Sequence, residues 1–426
     1  MIENIEDVHN YLDEIPSFRN DGQPAADFQL ERFAEFCAEI DNPQRQFASI
    51  HVAGSNGKGS TCQLLASIYE QAGYDTGLYI SPHLISYDER FTINGRRIDD
   101  GAMIDFFQSF EGLINRYKIT YFEVSTALAF WWFARQNVDI AMIETGLGGR
   151  LDATNIISPL ATLITTVTLD HTDILGETIS EIAAEKAGII KPGVPVILGN
   201  VPHEAKQVIE SKADAQDAPI FDSTAYLPAW NRGRYQLTIE GKERTFNSTL
   251  RTPVQAYNIA AAWQLTEVIQ QDFPTTRAQR KAGIEKVGET FPNPGRFEQL
   301  HNTLNWYFDG GHNVQSVQAM KNMVKTIKPV NDSILVLALM NDKINKKMMS
   351  EFLEFKKIIY YTLPIGRAAT IHDIQPWLPN VQSFPVDEES QNKLLNEFES
   401  ELVIFAGSFY FYATVRDWLA RYVIDC

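Results

Sequence analysis

The sequence predicts an α/β protein whose sheets are mostly parallel. From about residue 47, short apolar runs alternate with stretches of helical periodicity, which is the pattern of βαβ units. A Pro/Gly-rich breaker, Phe291-Pro292-Asn293-Pro294-Gly295, interrupts this pattern. A second alternating series begins after the breaker. We therefore predict two domains, residues 1–294 and 295–426, each built around its own sheet.

The elements of the first series are short strands separated by helices. Helical periodicity first covers 2–14 and 29–40. The predicted strands that follow are 47–53, 76–80, 139–143, 161–168 and 194–198, and the predicted helices are 60–72, 101–116, 122–136 and 178–189. Residues 220–250 are more polar and alternate in character, which predicts small antiparallel strands. A helix over about 254–271 ends the series.

The second series repeats the same alternation over a shorter length. Its runs are largely apolar and six or seven residues long, as expected for buried strands of a parallel sheet. The predicted strands are about 304–309, 333–339, 357–362 and 401–406, and the predicted helices are 314–327, 344–354 and 409–423. We expect a smaller sheet domain here.

Composition limits the classes of function. The 426 residues include 37 basic and 54 acidic side chains, and the net charge of −17 argues against nucleic-acid binding over a broad surface. Cys37, Cys62 and Cys426 lack the spacing of a metal site or a disulfide framework. The N-terminus lacks a signal-peptide core, and the apolar run 127–134 is far shorter than the roughly 20 residues that span a bilayer. We expect a cytoplasmic protein without nucleic-acid or membrane partners.

The stretch between the first two elements of the alternating series has the layout of a phosphate-binding loop. An apolar strand runs into Gly54-Ser55-Asn56-Gly57-Lys58-Gly59-Ser60-Thr61, and a helical pattern follows at once. The glycines allow backbone N–H groups to close around phosphate oxygens, and Lys58 adds a cation. The hydroxyls of Ser60 and Thr61 can hold oxygen or Mg²⁺. Val52 replaces an expected glycine and Gly59 is inserted, so the loop departs from the general P-loop pattern. Some glycine-rich turns bind nothing, but this one favours nucleotide phosphates.

A carboxylate stands at the end of another apolar strand. The string Asp139-Ile140-Ala141-Met142-Ile143-Glu144 delivers Glu144 to the edge where open α/β sheets place ligands. By itself this residue is more often a solvated charge. Beside a phosphate loop it becomes a candidate Mg²⁺ ligand, because Mg²⁺ prefers oxygen donors.

Two further segments carry charged groups near element ends. Asp170, His171 and Asp173 follow an apolar strand and favour a metal-ligand role, although histidine is an uncommon ligand of Mg²⁺. Lys186 lies in the last turn of a predicted helix. Its spacing alone favours a solvated lysine, since lysine is rarely buried unpaired.

Beyond the breaker, polar groups again follow a strand. They belong to Phe308-Asp309-Gly310-Gly311-His312-Asn313, and Gly295-Arg296 lies in the hinge at the end of the breaker. Arginine suits bidentate binding of phosphate. Each of these charges could instead lie in a solvated loop. Polar strand ends in both domains favour a ligand cleft with parts from each.

Together these motifs resemble the Mur ligase superfamily, and within it the folylpolyglutamate synthases and the bifunctional dihydrofolate synthase/folylpolyglutamate synthases. The matching strings occur in family order over about residues 28–410. They are Gly54-Ser55-Asn56-Gly57-Lys58-Gly59-Ser60, Ser81-Pro82-His83-Leu84, Thr120-Tyr121-Phe122-Glu123, Glu144-Thr145-Gly146-Leu147-Gly148-Gly149-Arg150-Leu151-Asp152-Ala153-Thr154-Asn155, Leu169-Asp170-His171-Thr172-Asp173-Ile174-Leu175-Gly176, Glu185-Lys186-Ala187-Gly188-Ile189, Asn258, Pro294-Gly295-Arg296-Phe297, Asp309-Gly310-Gly311-His312-Asn313 and Ala406-Gly407-Ser408.

The chain departs from the family pattern in three places. Ser55 replaces the commoner threonine, and the string Asp309-Gly310-Gly311-His312-Asn313 has a glycine in place of the usual alanine. The family's Gly-x-x-x-Asp-Lys-Asp appears as Ala338-Leu339-Met340-Asn341-Asp342-Lys343-Ile344, without its first glycine and last aspartate. Any role assigned to the loop around Lys343 is therefore in doubt.

The resemblance implies an architecture and a set of residue roles. It implies an N-terminal P-loop ATPase domain and a smaller C-terminal Rossmann-like domain, in a monomer. Lys186 matches the lysine that is carbamylated in these enzymes, which replaces the solvated interpretation. The implied roles are catalysis for Lys58, Lys186 and His171; ATP binding for Gly54, Asn56, Gly57, Lys58, Gly59, Ser60, Asn258, Arg296, Asp309 and His312; Mg²⁺ coordination for Ser81, Glu144 and His171; and pterin binding for Thr120, Tyr121, Phe122, Leu151, Asp152 and Ala153.

The implied reaction is ATP-dependent addition of L-glutamate to dihydropteroate, to tetrahydrofolates or to both, through an acyl phosphate. The Thr120-Tyr121-Phe122-Glu123 string resembles the bifunctional bacterial enzymes and favours both substrates. Two alternatives remain: another Mur-type amide ligase, or a nucleotide-binding homologue without ligase activity. The altered loop around Lys343 is the one sequence feature that favours the second alternative.

Overall fold

The computed structural model describes residues 2–15, 30–231 and 233–424. The chain divides into two compact units, Met1–Thr249 with Gln255–Pro292, and Leu250–Val254 with Asn293–Cys426. The predicted helical position 29 and Cys426 lie outside the described residues. No helix of the described ranges is long and apolar enough to cross a membrane. The assignment of functional domains to 1–294 and 295–426 stays a prediction.

The first unit contains the longer alternating series. Its elements are α1 (Ile5–Glu14), α2 (Leu30–Glu39), β1 (Ala48–Ala53), α3 (Lys58–Gln71), β2 (Thr76–Tyr79), β3 (Phe91–Ile93), β4 (Arg96–Arg97), α4 (Asp100–Tyr117), α5 (Tyr121–Arg135), β5 (Ile140–Glu144), β6 (Ala161–Ile164), α6 (Thr172–Leu175), α7 (Ile179–Ala187), β7 (Val196–Leu198), α8 (His203–Asp214), β8 (Ile220–Asp222), β9 (Ala229–Asn231), β10 (Arg234–Ile239), β11 (Lys242–Phe246), α9 (Gln255–Val268) and α10 (Arg277–Thr290).

The main sheet of this unit has the strand order β4-β3-β2-β5-β1-β6-β7-β8. The strands from β2 to β8 in this order pair in parallel, and β3 and β4 add an antiparallel edge. Val52 lies opposite Glu144, and Ala53 lies opposite Ile164. The carboxyl ends of β1, β5 and β6 are therefore level, so the segments that follow them meet at one edge of the sheet.

Helices bury both faces of this sheet. Apolar side chains of α1, α2, α4 and α5 form one core with the sheet, and those of α6, α7 and α8 form another. Helix α3 is buried from Ser60 to Tyr69, against α9 and α10. Its contact with α10 depends on Gly283, where a Cβ would lie 2.5 Å from the Cα of Ile68. Such a close approach fixes the helix that begins at the phosphate loop.

A small antiparallel sheet of order β11-β10-β9 follows the main sheet. Alternate residues of β10, Tyr235, Leu237 and Ile239, are buried, which explains the polar alternation of the sequence. The prediction of small antiparallel strands is confirmed for 229–246. Residues 220–222 instead extend the main sheet as the parallel strand β8.

The second unit holds the shorter series. Its elements are β12 (Glu298–Gln299), β13 (Trp306–Asp309), α11 (Val314–Ile327), β14 (Ile334–Leu337), α12 (Lys346–Phe352), β15 (Lys357–Tyr360), α13 (Ile371–Ile374), β16 (Gln382–Ser383), α14 (Glu388–Glu397), β17 (Val403–Ala406) and α15 (Phe411–Ile424). The sheet order is β12-β13-β17-β14-β15-β16, parallel except for β12. Asp309 lies opposite Ala406 at the carboxyl end.

The predicted fold class, α/β with mostly parallel sheets in two parts, is confirmed. The pattern missed helices α8, α10 and α14, whose apolar faces are narrow. In α8 that face consists of Ala205, Ile209 and Ala213. The predicted strand 161–168 was too long, since β6 ends at Ile164. The next residues leave the sheet because their hydroxyl and backbone groups bind the phosphate loop.

Candidate active site

The phosphate loop connects β1 to α3 and needs glycine at two positions. Gly54 and Gly57 have φ values of +153° and +87°. A Cβ on Gly54 would lie 1.9 Å from Thr165 Oγ1, and one on Gly57 would lie 2.7 Å from Asn258 Oδ1. Side chains at these positions would therefore push the loop away from its supports.

The loop is held by the segment that follows β6. The N–H of Ser55 donates to the carbonyl of Thr166 at 2.9 Å, and the N–H of Asn56 donates to Thr166 Oγ1 at 3.0 Å. The hydroxyl of Thr165 donates to the carbonyl of Asn56 at 2.6 Å. These bonds keep the loop in one conformation. Helix α3 starts with Gly57 at its N-cap and has no side-chain cap, so its first N–H groups point to a potential anion.

Lys58, Glu144 and Ser81 converge beside this helix start. Lys58 Nζ donates to the carbonyl of Gly54 at 3.1 Å and lies 3.9 Å from Glu144 Oε1. Glu144 is 4% exposed, and its Oε2 accepts from the N–H of Ser81 at 3.1 Å. A Cβ on Gly59 would lie 3.2 Å from that same oxygen. Glu144 is therefore a buried carboxylate beside a cation, and not the solvated strand-end charge of the alternative interpretation.

A buried polar pair from α9 meets the first turn of α3. Gln255 Nε2 donates to Ser60 Oγ at 3.3 Å, and Asn258 Nδ2 donates to Gln255 Oε1 at 2.8 Å. All three residues are buried. Asn258 thus lies against the phosphate loop, although it is 201 positions beyond Gly57 in the sequence.

Lys186 is buried near the phosphate loop. It is 3% exposed, so the interpretation of a solvated lysine from its spacing alone is wrong. Burial and the positive charge of Lys58 lower the pKa of Lys186 to about 7, with Asp170 and Asp152 acting in the opposite direction. A substantial fraction of this amine is therefore neutral at neutral pH.

His171 lies next to Asp170 on the segment that also supports the phosphate loop. It is half-buried at the start of α6 with φ +49°, and its N–H donates to Asp170 Oδ1 at 2.9 Å. The imidazole Nε2 is 3.8 Å from the same carboxylate oxygen. Asp170 and His171 thus lie together as predicted, but six and seven positions beyond the end of β6 and not at a strand end.

The predicted pterin segment 120–122 forms the start of α5. Thr120 is the N-cap, and its own N–H donates to Glu123 Oε2 at 2.8 Å. Arg32 on α2 donates to both oxygens of Glu123 at 2.9 Å. The ring of Phe122 packs on Gly146, where a Cβ would lie 2.4 Å from Phe122 Cζ. Residues 120–122 therefore lie beside the loop that follows β5.

That loop carries the second predicted pterin segment, Leu151 to Ala153. The carboxylate of Asp152 is buried and accepts from the N–H of Leu147 at 2.8 Å and from the N–H and hydroxyl of Thr154. His51 Nε2 lies 2.8 Å from the same hydroxyl. Burial raises the pKa of Asp152 and lowers the pKa of His51 to about 3, so this imidazole is neutral at pH 7. Sequence reasoning missed His51, although a polar residue inside an apolar strand was a usable signal.

In the second unit, Arg296, Asp309 and His312 surround the carboxyl end of β13. Asp309 accepts from the N–H groups of Phe297 at 3.0 Å and Gly311 at 2.8 Å. Burial raises its pKa to about 6, against the lowering effect of Arg296. The Arg296 guanidinium lies 4.3 Å from the ring centroid of Phe409, and His312 Nδ1 donates to the carbonyl of Gly310 at 3.0 Å. Phe409 is a supporting residue that the sequence did not indicate.

We compared the chain with known protein families, curated proteins and solved structures. A family model described as the Mur ligase middle domain matches residues 52–265, which include the phosphate loop and Asn258. The chain is 31% identical to the dihydrofolate synthase/folylpolyglutamate synthase of Bacillus subtilis, over 91% of this chain and 94% of that protein. It belongs to the folylpolyglutamate synthase family of Mur ligases.

Other members of the folylpolyglutamate synthase family agree in length and fold. The folylpolyglutamate synthase of Lacticaseibacillus casei is 29% identical, over 89% of this chain and 92% of that protein. The structure of Escherichia coli FolC in complex with ADP superimposes with a TM-score of 0.85 at 26% identity and covers 98% of each chain. The folylpolyglutamate synthase of Thermotoga maritima gives 0.79 at 27% identity, over 98% of this chain and 96% of that one. The resemblance inferred from motifs is confirmed.

Proposed function

We propose that this protein is an ATP-dependent ligase that joins L-glutamate to dihydropteroate, to tetrahydrofolates or to both, through an acyl phosphate. The observation that carries the proposal is the convergence of Lys58, Glu144 and Ser81 beside the phosphate loop, with the buried Lys186 nearby. Family membership supports the same activity. We also propose a cytoplasmic monomer.

The oxygen donors of this site fit Mg²⁺. Glu144 would offer a carboxylate and Ser81 a hydroxyl, with His171 as the third predicted ligand. When bound, Mg²⁺ supplies positive charge that offsets the charge of the triphosphate. The N–H groups at the start of α3 would bind the phosphates, and Lys58 would exchange its bond to the Gly54 carbonyl for a phosphate oxygen.

The reaction proceeds in two displacements. An oxygen of the substrate carboxylate attacks the γ-phosphorus of ATP, the bond to the bridging oxygen breaks, and ADP leaves. The neutral amine of glutamate then attacks the acyl carbon, the carbon–oxygen bond to phosphate breaks, and inorganic phosphate and a proton are released. Lys58 offsets the repulsion between the attacking carboxylate and the triphosphate, because it places a cation where both anions approach.

The remaining predicted residues would hold the substrates. Thr120, Tyr121, Phe122, Leu151, Asp152 and Ala153 would bind the pterin, and Asn258, Arg296, Asp309 and His312 would contact the nucleotide. A pterin ring offers adjacent N–H donors, and the buried carboxylate of Asp152 is an acceptor suited to them. No role is assigned to Lys343, whose loop departs from the family pattern.

The activity can be tested by product analysis. ATP, L-glutamate and either dihydropteroate or tetrahydrofolate are offered in parallel, and ADP release and the mass of the product are measured. We expect ADP release only when acid and glutamate are both present, with a product one glutamate residue heavier. ADP release with ATP alone would favour the nucleotide-binding homologue. Turnover with UDP-sugar peptides instead would favour another Mur-type ligase.

We further propose that Lys186 is carbamylated. Its neutral amine would add to CO₂ and release a proton, which replaces a buried cation with a carboxylate beside Lys58. The amine must be unprotonated to react, and the pKa of Lys186 is about 7, so carbamylation is expected to increase as pH rises through 7. The energetic argument is that a buried lysine without a carboxylate partner is unfavourable, whereas a carbamate next to Lys58 is paired.

A pH below 7 and the removal of CO₂ are therefore each expected to lower activity. Addition of bicarbonate at pH 8 should restore the activity. Intact-protein mass spectrometry should follow the added CO₂. We expect Lys186→Ala to lose roughly 100-fold or more in kcat, with partial rescue by formate or acetate. Lys191→Ala is the control, because Lys191 is a partly buried lysine that donates to the carbonyl of Asn155, and a small carboxylate should not change its activity. Wild-type kcat in Lys186→Ala without added carboxylate would contradict the proposal.

A further inference from the structure

Arg90 is a buried cation at the edge of the main sheet. It directly precedes β3 and is 3% exposed. Its Nε donates to His83 Nδ1 at 2.9 Å. Its guanidinium carbon lies 5.6 Å from the ring centroid of Tyr121 and 5.9 Å from that of Tyr87. The charge is thus enclosed by two tyrosines and a histidine.

No carboxylate within the described ranges forms an ion pair with Arg90, and the only side-chain hydrogen bond of its guanidinium there is the one from Nε. The other buried arginine of these ranges, Arg280, is different. Arg280 pairs with Glu267 at 3.0 Å and also donates to Gln270 and Thr275. A buried charge without a partner is unfavourable, and the faces of two tyrosine rings offset only part of its cost. Arg280 has the contacts of a structural arginine, whereas the terminal nitrogens of Arg90 lack such contacts with the described residues.

The position of Arg90 connects two parts of the candidate site. Its carbonyl accepts from the N–H of Ile80 at 3.1 Å, next to Ser81, whose own N–H donates to Glu144. Tyr121, which packs near its guanidinium, belongs to the segment proposed to bind the pterin. The guanidinium therefore lies between the segment beside the phosphate loop and the segment assigned to the organic acid.

We propose that Arg90 binds the carboxylate of one of the two organic substrates, the pterin acid or L-glutamate. The proposal depends on the ligase function, in which both substrates are carboxylates. The two terminal nitrogens of a guanidinium match the two oxygens of a carboxylate, and the ion pair would supply the missing counter-charge. Binding of this carboxylate would fix the acid or the amine relative to the phosphate loop.

Arg90→Gln and Arg90→Lys test the proposal by steady-state kinetics with each substrate varied in turn. We expect Arg90→Gln to raise KM for one of the two carboxylate substrates by roughly 10- to 100-fold, because a charge-assisted, bidentate bond is lost. The other KM and the Kd for an ATP analogue should stay within about twofold. Arg90→Lys should recover only part of the loss, since lysine restores the positive charge but cannot donate two parallel hydrogen bonds to a carboxylate. The substrate whose KM rises is the one whose carboxylate Arg90 binds.

Arg97→Gln is the matched control. Arg97 lies on the neighbouring β4, is 49% exposed in its side chain and pairs with Asp88 at 3.4 Å. Its replacement should leave both KM values unchanged. Thermal unfolding adds a readout that separates binding from structure. Removal of an unpaired buried charge should leave the Tm of Arg90→Gln equal to or above that of the wild type, whereas loss of a structural ion pair would lower it.

A substrate analogue keeps the test valid if a variant folds poorly. The carboxamide of the affected substrate should bind the wild type weakly and should lose no further affinity in Arg90→Lys. Unchanged KM values for both substrates in folded Arg90→Gln would overturn the inference, as would equal losses of acid and carboxamide binding. If the wild type shows no turnover with pterin acid and glutamate, the ligase function itself is wrong. If the wild type does turn over these substrates, the ligase function holds, and the variants then test only the role of Arg90.

Discussion

Replacement of Lys58 by alanine is expected to lower kcat by roughly 100- to 1,000-fold. Lys58 Nζ lies at the start of α3, 3.1 Å from the Gly54 carbonyl and 3.9 Å from Glu144. In the proposed reaction its cation faces the charge that develops as a carboxylate attacks ATP. The helix N-terminus remains, so we expect the Kd for an ATP analogue to change less than kcat.

Single-turnover measurement of ADP formation separates these two effects for Lys58→Ala. Lys281→Ala provides the control, because Lys281 is an exposed lysine of α10 that pairs with Glu285 at 3.9 Å. Its removal should not change kcat. A value of kcat close to that of the wild type in Lys58→Ala would show that this loop does not serve the chemical step.

Replacement of Glu144 by glutamine is expected to raise the Mg²⁺ concentration needed for half-maximal activity by roughly 100-fold. Glutamine keeps the shape of the side chain and an oxygen that can accept from the N–H of Ser81, but it removes the charge. Because Mg²⁺ prefers charged oxygen ligands, the loss should appear in the metal titration before it appears in nucleotide binding.

The measurement is a Mg²⁺ titration of ADP formation at saturating substrates. Glu70→Gln is a suitable control, since Glu70 lies in the last turn of α3, at the end away from the phosphate loop, where its carboxylate accepts from Gln71. An unchanged titration in Glu144→Gln would remove Glu144 from the metal site. Lower stability with an unchanged titration would instead assign Glu144 a structural role as the partner of Lys58.

The sequence predicted those parts of the site that depend on local pattern. The strand, glycine-rich loop and helix around Gly54 to Ser60 were correctly placed. Their hydrophobic periodicity and their turn residues all lie within about twenty positions of the sequence. The strand that delivers Glu144 was also correct. The narrow apolar faces of α8 and α10 were missed, since most of their residues are polar and their burial depends on neighbouring helices.

The sequence could not predict how distant segments support the site. The segment after β6 was predicted to stay in the sheet, whereas Thr165 and Thr166 instead hold Asn56 of the phosphate loop. The link from His51 through Thr154 to Asp152 joins residues about a hundred positions apart. Pattern reasoning works within one element, and contacts of this kind are set by the order of strands in the sheet.

By itself, the sequence determined the α/β class, the phosphate loop and the family, because these follow from local periodicity and from strings of specific residues. Only the tertiary structure decided the electrostatic state of the charged groups. Lys186 is buried with a lowered pKa, Glu144 is paired with Lys58, and Arg90 is enclosed without a counter-charge from the part of the chain that the structure describes. The cost of a charge depends on its burial and its partners, and both are set by segments that are remote in the chain.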